Sequence, residues 1–505
     1  MMAAMAVTAM SLSELLGSTP AAIGQITITD LVSDSRQVHP GAAFVAIKGE
    51  QAHGLEYAAE AVERGATVVL YDPGSKEIDS VDILKVSSRA VIVAVPNLDG
   101  RLGELAMRFY SCAESGPRLA GITGTNGKST VAYLAAQAQT LRGYPSAYIG
   151  TVGSGIPPEL KPQKLTTPDC LSLHRTLAGL EVDYATVEVS SHALAQDRIA
   201  GLEFDTAVFT NLTRDHLDYH GDFVSYQKAK ARLFQVNGLH NAIIFSDDPF
   251  ADSLIHSLDD FIDRIDVSFA KTAHLGGKVL NSGLQGLTVE VSSALVREKD
   301  GSLSEGVITS PLIGDFNAEN LLLALGILLS WEAPFHEACE ALSQCAPPPG
   351  RMEVLVGSHG LPTVVIDYAH TPVGLERVLT NLNALTDANL WCVFGCGGER
   401  DAGKRALMGA SAARFARHIV LTDDNPRGEN PGKIVADIYA AITDHPDVRI
   451  EHDRARAIRE AVLGAGPDDI VLVAGKGHET WQYLAGEKRE FRDRAVIEEI
   501  LGGQA

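Results

Sequence analysis

The stretch Gly121-Ile122-Thr123-Gly124-Thr125-Asn126-Gly127-Lys128-Ser129-Thr130 constrains this chain more than any other. A short apolar run, Leu119 to Ile122, precedes it, and a helical pattern rich in Ala, Leu and Gln, Val131 to Leu141, follows it. Strand, glycine turn and helix start together make a cradle for a chain of phosphates. Glycine lets backbone N–H groups approach the oxygens, and the helix N-terminus adds favourable partial charge. In such a turn Lys128 reaches the terminal phosphates and Ser129 offers its hydroxyl to Mg²⁺. The longer form of the motif has glycine where this chain has Ile122, so the match is to the shorter Gly-Thr-Asn-Gly-Lys-Ser form. Gly124, Thr125, Asn126, Gly127, Lys128, Ser129 and Thr130 are accordingly expected to bind a nucleotide.

The 505 residues leave room for about three or four domains. Hydrophobic residues make up 45%, enough for large cores and too many for a disordered chain. The formal charge of −22 argues against nonspecific binding to nucleic acid or to an anionic membrane. It leaves open an anionic small substrate, which a local basic cluster can hold. Six cysteines (112, 170, 339, 345, 392, 396) include no CxxC pair, which suits a reducing, cytoplasmic compartment. Cys392 and Cys396 flank a strand end and read as core thiols. Met1 to Leu12 is apolar without basic residues, unlike a secretory signal or transit peptide, and reads as a short extension. No run approaches the roughly 20 apolar residues that a membrane-spanning helix needs.

Turn and proline signals divide the chain into three blocks. Residues 1–114 mix strand-like pieces (Ala43 to Ile47, Thr67 to Tyr71, Val91 to Val95) with a helix around Arg101 to Tyr110, and Ser115-Gly116-Pro117 closes them. Residues 115–345 begin with the phosphate turn. Their later strands are Tyr184 to Val189, Thr206 to Thr210 and Ala242 to Phe245, with a helix from Asn317 to Trp331 near the end. Cys345-Ala346-Pro347-Pro348-Pro349-Gly350 marks the next boundary, because consecutive prolines end regular structure. Residues 346–505 alternate strands (Thr363 to Ile366, Leu390 to Phe394, His418 to Leu421, Ile470 to Val473) with helical patterns. That is the pattern of a parallel sheet covered on both faces, so the fold class is α/β. Such sheets bind ligands at the carboxyl ends of their strands. The unusual turns lie there: Asp367-Tyr368-Ala369-His370, Gly395 to Asp401, Asp424-Asn425-Pro426-Arg427 and Gly475-Lys476-Gly477-His478-Glu479.

In the central block, Glu188-Val189-Ser190-Ser191-His192 and Asn211 through His220 each follow a strand. Mg²⁺ prefers hard oxygen ligands, which Glu188 and Ser129 supply; His216 is a less usual partner. Taken singly, His192, His216 and His220 read as surface or hydrogen-bonded histidines.

These motifs, with Gly314-Asp315-Phe316-Asn317, Gly350-Arg351-Met352-Glu353 and Asp367-Tyr368-Ala369-His370-Thr371-Pro372, occur in one order. Together they closely resemble the Mur ligases of peptidoglycan synthesis, and among them the MurE type. The resemblance covers nearly the whole chain after the first 25 or so residues. It implies three domains: one for a UDP-substrate, a central P-loop ATPase domain with a mostly parallel sheet, and a C-terminal Rossmann-like domain for an incoming amino acid. It implies ATP as co-substrate, an acyl-phosphate intermediate, and Mg²⁺ to offset the repulsion between anions. Ser129, Glu188 and His216 look like metal ligands, and Lys230 matches the lysine that the family carbamylates. With Lys128 these form the expected catalytic set. Without the resemblance, Lys230 reads as a solvated helix residue. Asn317, Arg351 and Asp367 resemble the contacts to adenine, phosphates and ribose, although Asn317 also suits a helix cap.

The same resemblance places Ser33, Ser35, Glu50, Gln51 and Ala52 around uridine, and Thr166, Thr167, Ser190, Gln196 and Arg198 around the muramoyl peptide. Ser33-Asp34-Ser35-Arg36 also reads as a turn with Asx-type bonding. Leu165 stands where some members carry Asn, and Pro168 stiffens the turn after Thr167. Asp424-Asn425-Pro426-Arg427 resembles the signature of members that add meso-diaminopimelate to UDP-N-acetylmuramoyl-dipeptide. An arginine fork binds a carboxylate in bidentate fashion, so Arg427 and Arg400 suit the extra carboxylate that lysine lacks. Asp424 and Glu479 suit ammonium groups, and Gly475 completes the expected amino-acid set with Asn425 and Pro426. The resemblance further implies a cytoplasmic monomer acting on small molecules, with no nucleic acid and no membrane insertion. A lysine-adding ligase, a folylpolyglutamate-synthetase-like relative, a catalytically silent homologue and a generic P-loop ATPase are the competing readings.

Overall fold

The computed structural model describes residues 9–49, 52–74, 89–110, 116–297, 301–358 and 360–502. Glu50, Gln51 and Cys112 lie outside the described residues, as does the expected boundary at 114/115. Chain contacts divide the molecule into two units. The first comprises residues 1–121, 144–207 and 229–240, and the second residues 122–143, 208–228 and 241–505.

In the first unit, Asp30–Val32, Ala42–Ala46, Val68–Tyr71 and Val91–Ala94 form a four-stranded parallel sheet in that order. Ala42–Ala46 is buried throughout, as expected for a strand covered on both faces. The helix Leu98–Tyr110 begins three residues before the expected Arg101 and buries Leu98, Leu105, Ala106 and Phe109. The supposed N-terminal extension is shorter than the sequence suggested. Met10–Ser11 pairs with Thr27–Ile28, and Ser11 caps the helix Leu12–Leu16 with Glu14 in a reciprocal capping box. Further along, Ser146–Gly150 pairs in parallel with Tyr184–Glu188 and antiparallel with Gly153–Ile156. Asp169 caps the helix Cys170–Ala178, which carries Arg175 against the N-terminal sheet. Arg175 donates to Asp30 Oδ1 at 3.0 Å and to the Leu31 carbonyl at 2.6 Å.

In the second unit, Asn241–Phe245, Asp263–Ser268 and Leu275–Gly283 run parallel. Leu275–Gly283, Gly286–Arg297 and Leu303–Ser310 then form an antiparallel meander that the sequence reading did not foresee. These strands alternate polar and apolar residues, and their outer positions, such as Glu290 and Glu305, gave no continuous apolar run to read. The helix Phe316–Ser330 is apolar around most of its circumference and is buried accordingly.

The last third forms a six-stranded sheet in the order Glu353–Leu355, Thr363–Asp367, Ile470–Ala474, Leu390–Phe394, His418–Leu421, Val448–Ile450. All pairs are parallel except the first. Apolar clusters fill both faces, one around Leu379, Phe394 and Met408, the other around Ile458, Val462 and Ile497. The expected strands all form, within a residue or two at each end. No helix among the described residues is long and apolar enough to cross a membrane. The described cysteines are all buried, and burial pushes the thiols of Cys170, Cys339, Cys345 and Cys396 up to about 12, so they stay protonated core groups.

One ion pair in this sheet layer is wholly buried. Arg454 donates to both oxygens of Asp493 at 2.7 and 2.8 Å and to the Ala474 carbonyl at 3.0 Å. Removing one partner strands the other charge in the interior. Asp493→Ala is therefore expected to cost about 3–5 kcal/mol in the unfolding transition of this sheet, read by urea titration of near-ultraviolet circular dichroism. A midpoint within experimental error of the parent would contradict that account.

Candidate active site

The phosphate turn joins the strand Arg118–Thr123 to the helix Lys128–Leu141. The helix starts three residues earlier than the apolar pattern indicated, because Gly127, at φ 85°, serves as its N-cap. Gly124 has φ 145°, and a Cβ there would overlap Thr210 Oγ1. The turn is held from the following strand end. Asn126 N donates to Asn211 Oδ1 at 3.0 Å, Thr125 N to the Asn211 carbonyl at 2.8 Å, and Thr213 N to Thr125 Oγ1 at 2.9 Å. Thr210 Oγ1 donates to the Asn126 carbonyl at 2.6 Å. Lys128 directs its ammonium to the Gly124 and Thr125 carbonyls, each at 2.9 Å. Ser129 and Thr130 are buried in the first helical turn.

Arg351 comes to this turn from beyond the proline boundary. Its Nη2 donates to Ser129 Oγ at 3.1 Å, and its guanidinium lies 4.7 Å from the centre of the Tyr368 ring. Asp367, at the end of its strand, accepts from Met352 N at 2.8 Å. Burial raises the Asp367 carboxyl, and the charge of Arg351 opposes that rise. Asn317 is not the helix cap: Asp315 holds that position, and Asn317 sits one residue inside the helix. Its amide donates to the Ile313 carbonyl and accepts from Asn320 Nδ2, both at 2.8 Å. Asn320 in turn abuts Gly127, which gives it a place beside the phosphate turn that sequence reasoning missed. Its only signal was an amide on the polar first turns of a largely apolar helix. His216 is exposed, at φ 53°, with its backbone N–H on Asp215 Oδ1 at 2.8 Å.

The first unit collects the expected peptide-side residues. Glu188 is buried at its strand end and accepts from Tyr148 Oη at 2.5 Å, Thr151 N at 2.9 Å and Thr151 Oγ1 at 3.2 Å. Tyr148 and Thr151 carried no motif and were not foreseen. Thr167 Oγ1 donates to the Glu188 carbonyl at 2.7 Å and accepts from Ser190 N at 3.0 Å. Ser190 caps the next helix by accepting from Ala193 N at 3.1 Å. Arg198 donates to the Thr167 carbonyl at 2.9 Å and to Gln196 Oε1 at 2.5 and 2.9 Å. Thr166 accepts from Thr151 Oγ1 at 3.1 Å. Thr166, Thr167, Ser190, Gln196 and Arg198 thus form one group around Glu188. Lys230 is 2% exposed, which corrects the reading of a solvated helix residue.

In the loops and turn around the N-terminal sheet of the same unit, Ser33 and Ala52 are half-buried, and buried Ser35 donates to Glu60 at 2.8 Å. Asp34 accepts from Arg36 N at 3.0 Å, so the Asx-type turn read from the sequence is present.

The amino-acid candidates gather beyond the strands His418–Leu421 and Ile470–Ala474. Asp424, Asn425 and Pro426 are buried, and Arg427, at φ 57°, is half-buried. Arg427 Nη1 donates to the Gly398 carbonyl at 2.7 Å. A Cβ on Gly397 would lie 3.1 Å from Arg427 Nη1 and 3.8 Å from Arg400 Cγ, so the two arginines flank one glycine turn. Arg400 is exposed. Gly475, at φ 110°, approaches Asp424 so closely that a Cβ would sit 2.8 Å from its Oδ2. Burial raises the Asp424 carboxyl, and Lys476 opposes the rise. Asn425 Nδ2 donates to Glu479 Oε2 at 2.8 Å. Lys476 is the residue the sequence reading quoted without a role. It donates to Glu479 Oε2 at 2.8 Å, the Trp481 carbonyl at 2.7 Å and Asn425 Oδ1 at 3.2 Å.

Three family models match the chain: the Mur ligase family catalytic domain at residues 27–110, the Mur ligase middle domain at 122–328, and the Mur ligase glutamate ligase domain at 350–477. A curated relative from Xanthomonas campestris, a UDP-N-acetylmuramoyl-L-alanyl-D-glutamate–2,6-diaminopimelate ligase, is 44% identical across 98% of this chain and 97% of its own. A relative of the same name from Xylella fastidiosa is 42% identical across 98% of both. A solved structure of a ligase of that name is 33% identical, with a TM-score of 0.66, covering 98% of this chain and 99% of its own. With its phosphate turn, three family models matched in succession and this likeness along almost its full length, the chain belongs to the Mur ligase family.

Proposed function

We propose that this protein is an ATP-dependent ligase that adds meso-2,6-diaminopimelate to UDP-N-acetylmuramoyl-L-alanyl-D-glutamate in peptidoglycan precursor synthesis. It works as a cytoplasmic monomer on small molecules, with domain boundaries at residues 114/115 and 345/346. The observation that supports the choice of amino acid best is the flanking of Gly397 by Arg400 and Arg427, with Asp424 on the loop of Arg427 and Glu479 on the neighbouring one. Diaminopimelate carries two carboxylates and two ammonium groups, and this loop pair offers cations and anions in kind.

The candidate residues divide by unit. Those assigned to the UDP-substrate that lie among the described residues (Ser33, Ser35, Ala52, Thr166, Thr167, Ser190, Gln196, Arg198) all belong to the first. Those assigned to ATP (Gly124 to Thr130, Asn317, Arg351, Asp367) and to the amino acid (Arg400, Asp424 to Arg427, Gly475, Glu479) belong to the second.

In the reaction, a carboxylate oxygen of the substrate dipeptide attacks the γ-phosphorus of ATP. The bond to the β–γ bridging oxygen breaks, giving an acyl phosphate and ADP. A neutral amine of diaminopimelate then attacks the activated carbonyl. Phosphate leaves, the amine loses a proton, and an amide remains. A carboxylate is a poor electrophile, and phosphorylation supplies its leaving group. Lys128 and Arg351 meet the charge on the transferring phosphoryl group. Asn317 and Asp367 hold the nucleoside.

Ser129 and His216 of the second unit, and Glu188 and a carbamylated Lys230 of the first, are the donors proposed for Mg²⁺, an ion that when bound would offset the negative charge of the triphosphate. The donors suit that ion: a hydroxyl and a carboxylate are hard oxygens, and Mg²⁺ keeps waters and phosphates as its remaining ligands. Carbamylation turns the buried Lys230 amine into an anionic oxygen donor.

Two outcomes follow for variants. Arg427→Ala is expected to raise KM for diaminopimelate about 10- to 100-fold, the effect of losing hydrogen bonds to a charged group, while KM for ATP stays within twofold. A phosphate-release assay offering diaminopimelate and lysine in parallel, with a control lacking amino acid, reads both; ordinary diaminopimelate kinetics in the variant would remove the assignment. Lys230→Ala is expected to lose at least about 100-fold in kcat, as when a charge-stabilising group is deleted. Adding a short-chain carboxylic acid should restore part of it, and full activity without the acid would eliminate the carbamate.

A further inference from the structure

Lys476 is wholly buried, with none of its side chain exposed. A buried ammonium is costly unless charge and hydrogen bonds oppose it. It has three donors, and three acceptors meet them: Glu479 Oε2 at 2.8 Å, the Trp481 carbonyl at 2.7 Å and Asn425 Oδ1 at 3.2 Å. Asp424 Oδ1 lies 4.0 Å away. These partners come from two loops, one after the strand His418–Leu421 and one after Ile470–Ala474. Asn425 closes the ring by donating to Glu479 Oε2 at 2.8 Å and accepting from Tyr483 N at 3.0 Å. The ammonium is therefore a tie between the two loops that carry the amino-acid candidates.

We propose that Lys476 is a positioning residue for the incoming diamino acid, acting through Glu479 and Asn425; this rests on the diaminopimelate reading above. Asp424 and Glu479 bring two negative charges and Lys476 one positive, so the cluster is left with one negative charge, the complement of one ammonium. Remove the cation, and Glu479 Oε2 loses its charged donor at 2.8 Å while the two loops lose their shared tie. Lys476 also fixes the aim of Glu479. Both bonds to that side chain fall on Oε2, which leaves Oε1 able to accept from a ligand. Gly475 and Gly477, both at positive φ, let the backbone turn tightly enough to bring residue 476 inward while residue 479 stays half-exposed.

The test is a double-mutant cycle in the phosphate-release assay, with ATP and UDP-muramoyl-dipeptide saturating and diaminopimelate varied. Lys476→Met is expected to raise KM for diaminopimelate about tenfold, the loss of roughly one charge-assisted hydrogen bond, with kcat and KM for ATP within about threefold. Glu479→Gln should do much the same, and the double variant no more than either single change, because the lysine acts through the glutamate. Additive effects, or an unaltered KM in Lys476→Met, overturn the proposal. Should the methionine variant fail to fold, Lys476→Arg keeps a buried cation but its longer fork displaces Glu479. It is expected to raise KM at least about threefold while sparing ATP, and an unchanged KM there overturns the proposal equally. Wild-type protein that uses lysine in preference to diaminopimelate would instead remove the functional reading itself.

Discussion

The hold on the phosphate turn from the Thr210–Thr213 strand end is the constraint on which the nucleotide chemistry depends. A glycine turn is intrinsically mobile, because glycine has the widest backbone freedom and the most of it to lose. Here the turn is fixed without using all its amides on itself. Asn211 takes the N–H of Asn126 on its side chain and that of Thr125 on its carbonyl, and Thr125 Oγ1 takes that of Thr213. The space beside Gly124 is filled by Thr210 Oγ1, so glycine is required there for steric as well as torsional reasons. On the other side a chain of amides runs from the Ile313 carbonyl through Asn317 and Asn320 to Gly127. Donors set in advance lower the reorganisation that developing charge would otherwise demand.

A net charge of −22 is an unpromising background for a protein that handles anions. The structure resolves the conflict locally. Arg351 is held over the Tyr368 ring and against Ser129, so one cation is delivered to the phosphate turn by a side chain rooted beyond the proline boundary. The stacking limits its rotamers and adds cation–π attraction. Asp367 stands close enough to feel that charge, yet burial dominates and keeps its carboxyl raised. At the amino-acid loops the same bookkeeping recurs with Lys476 against Asp424 and Glu479. Net charge governs encounter at a distance; within a few ångströms, placement governs.

How much of this could be read from the sequence depended on whether the signal was local. The parallel strands of the last third were legible because each is a short, fully apolar run bounded by turn residues, as Leu390–Phe394 illustrates. The antiparallel meander over Leu275–Ser310 was not, since its strands are half-solvated and its Ser, Gly and Glu residues mimic loop composition. At the site, an ordered motif pointed to Glu188 and Ser190 and the family resemblance to Thr167 and Arg198, and the structure draws these into one group. Tyr148 and Thr151 escaped notice because they belong to a neighbouring strand and its turn. Only the fold brings them to Glu188. Lys230 shows the limit most plainly: a helix carrying Lys228 and Lys230 in alternation with small residues does not reveal which lysine is buried.

Selection of a diacid over lysine does not require many new contacts, because the cost of the wrong ligand falls on groups already in place. A guanidinium has five N–H donors. Arg427 has a 2.7 Å bond to the Gly398 carbonyl and a longer one of 3.5 Å to the Asn425 carbonyl, both from Nη1. Its remaining edge, Nε and Nη2, is the pair whose parallel geometry matches a carboxylate. Arg427 is at positive φ and half-buried, and its neighbours Asn425 and Pro426 are buried. A ligand without the second carboxylate displaces water from that edge and returns nothing to it. A desolvated donor left without a partner costs about 1–3 kcal/mol, more when charged. On the proposed assignment of Arg427 and Arg400 to diaminopimelate, and with each 1.4 kcal/mol being tenfold, one such edge would account for strong discrimination and the exposed Arg400 would reinforce it.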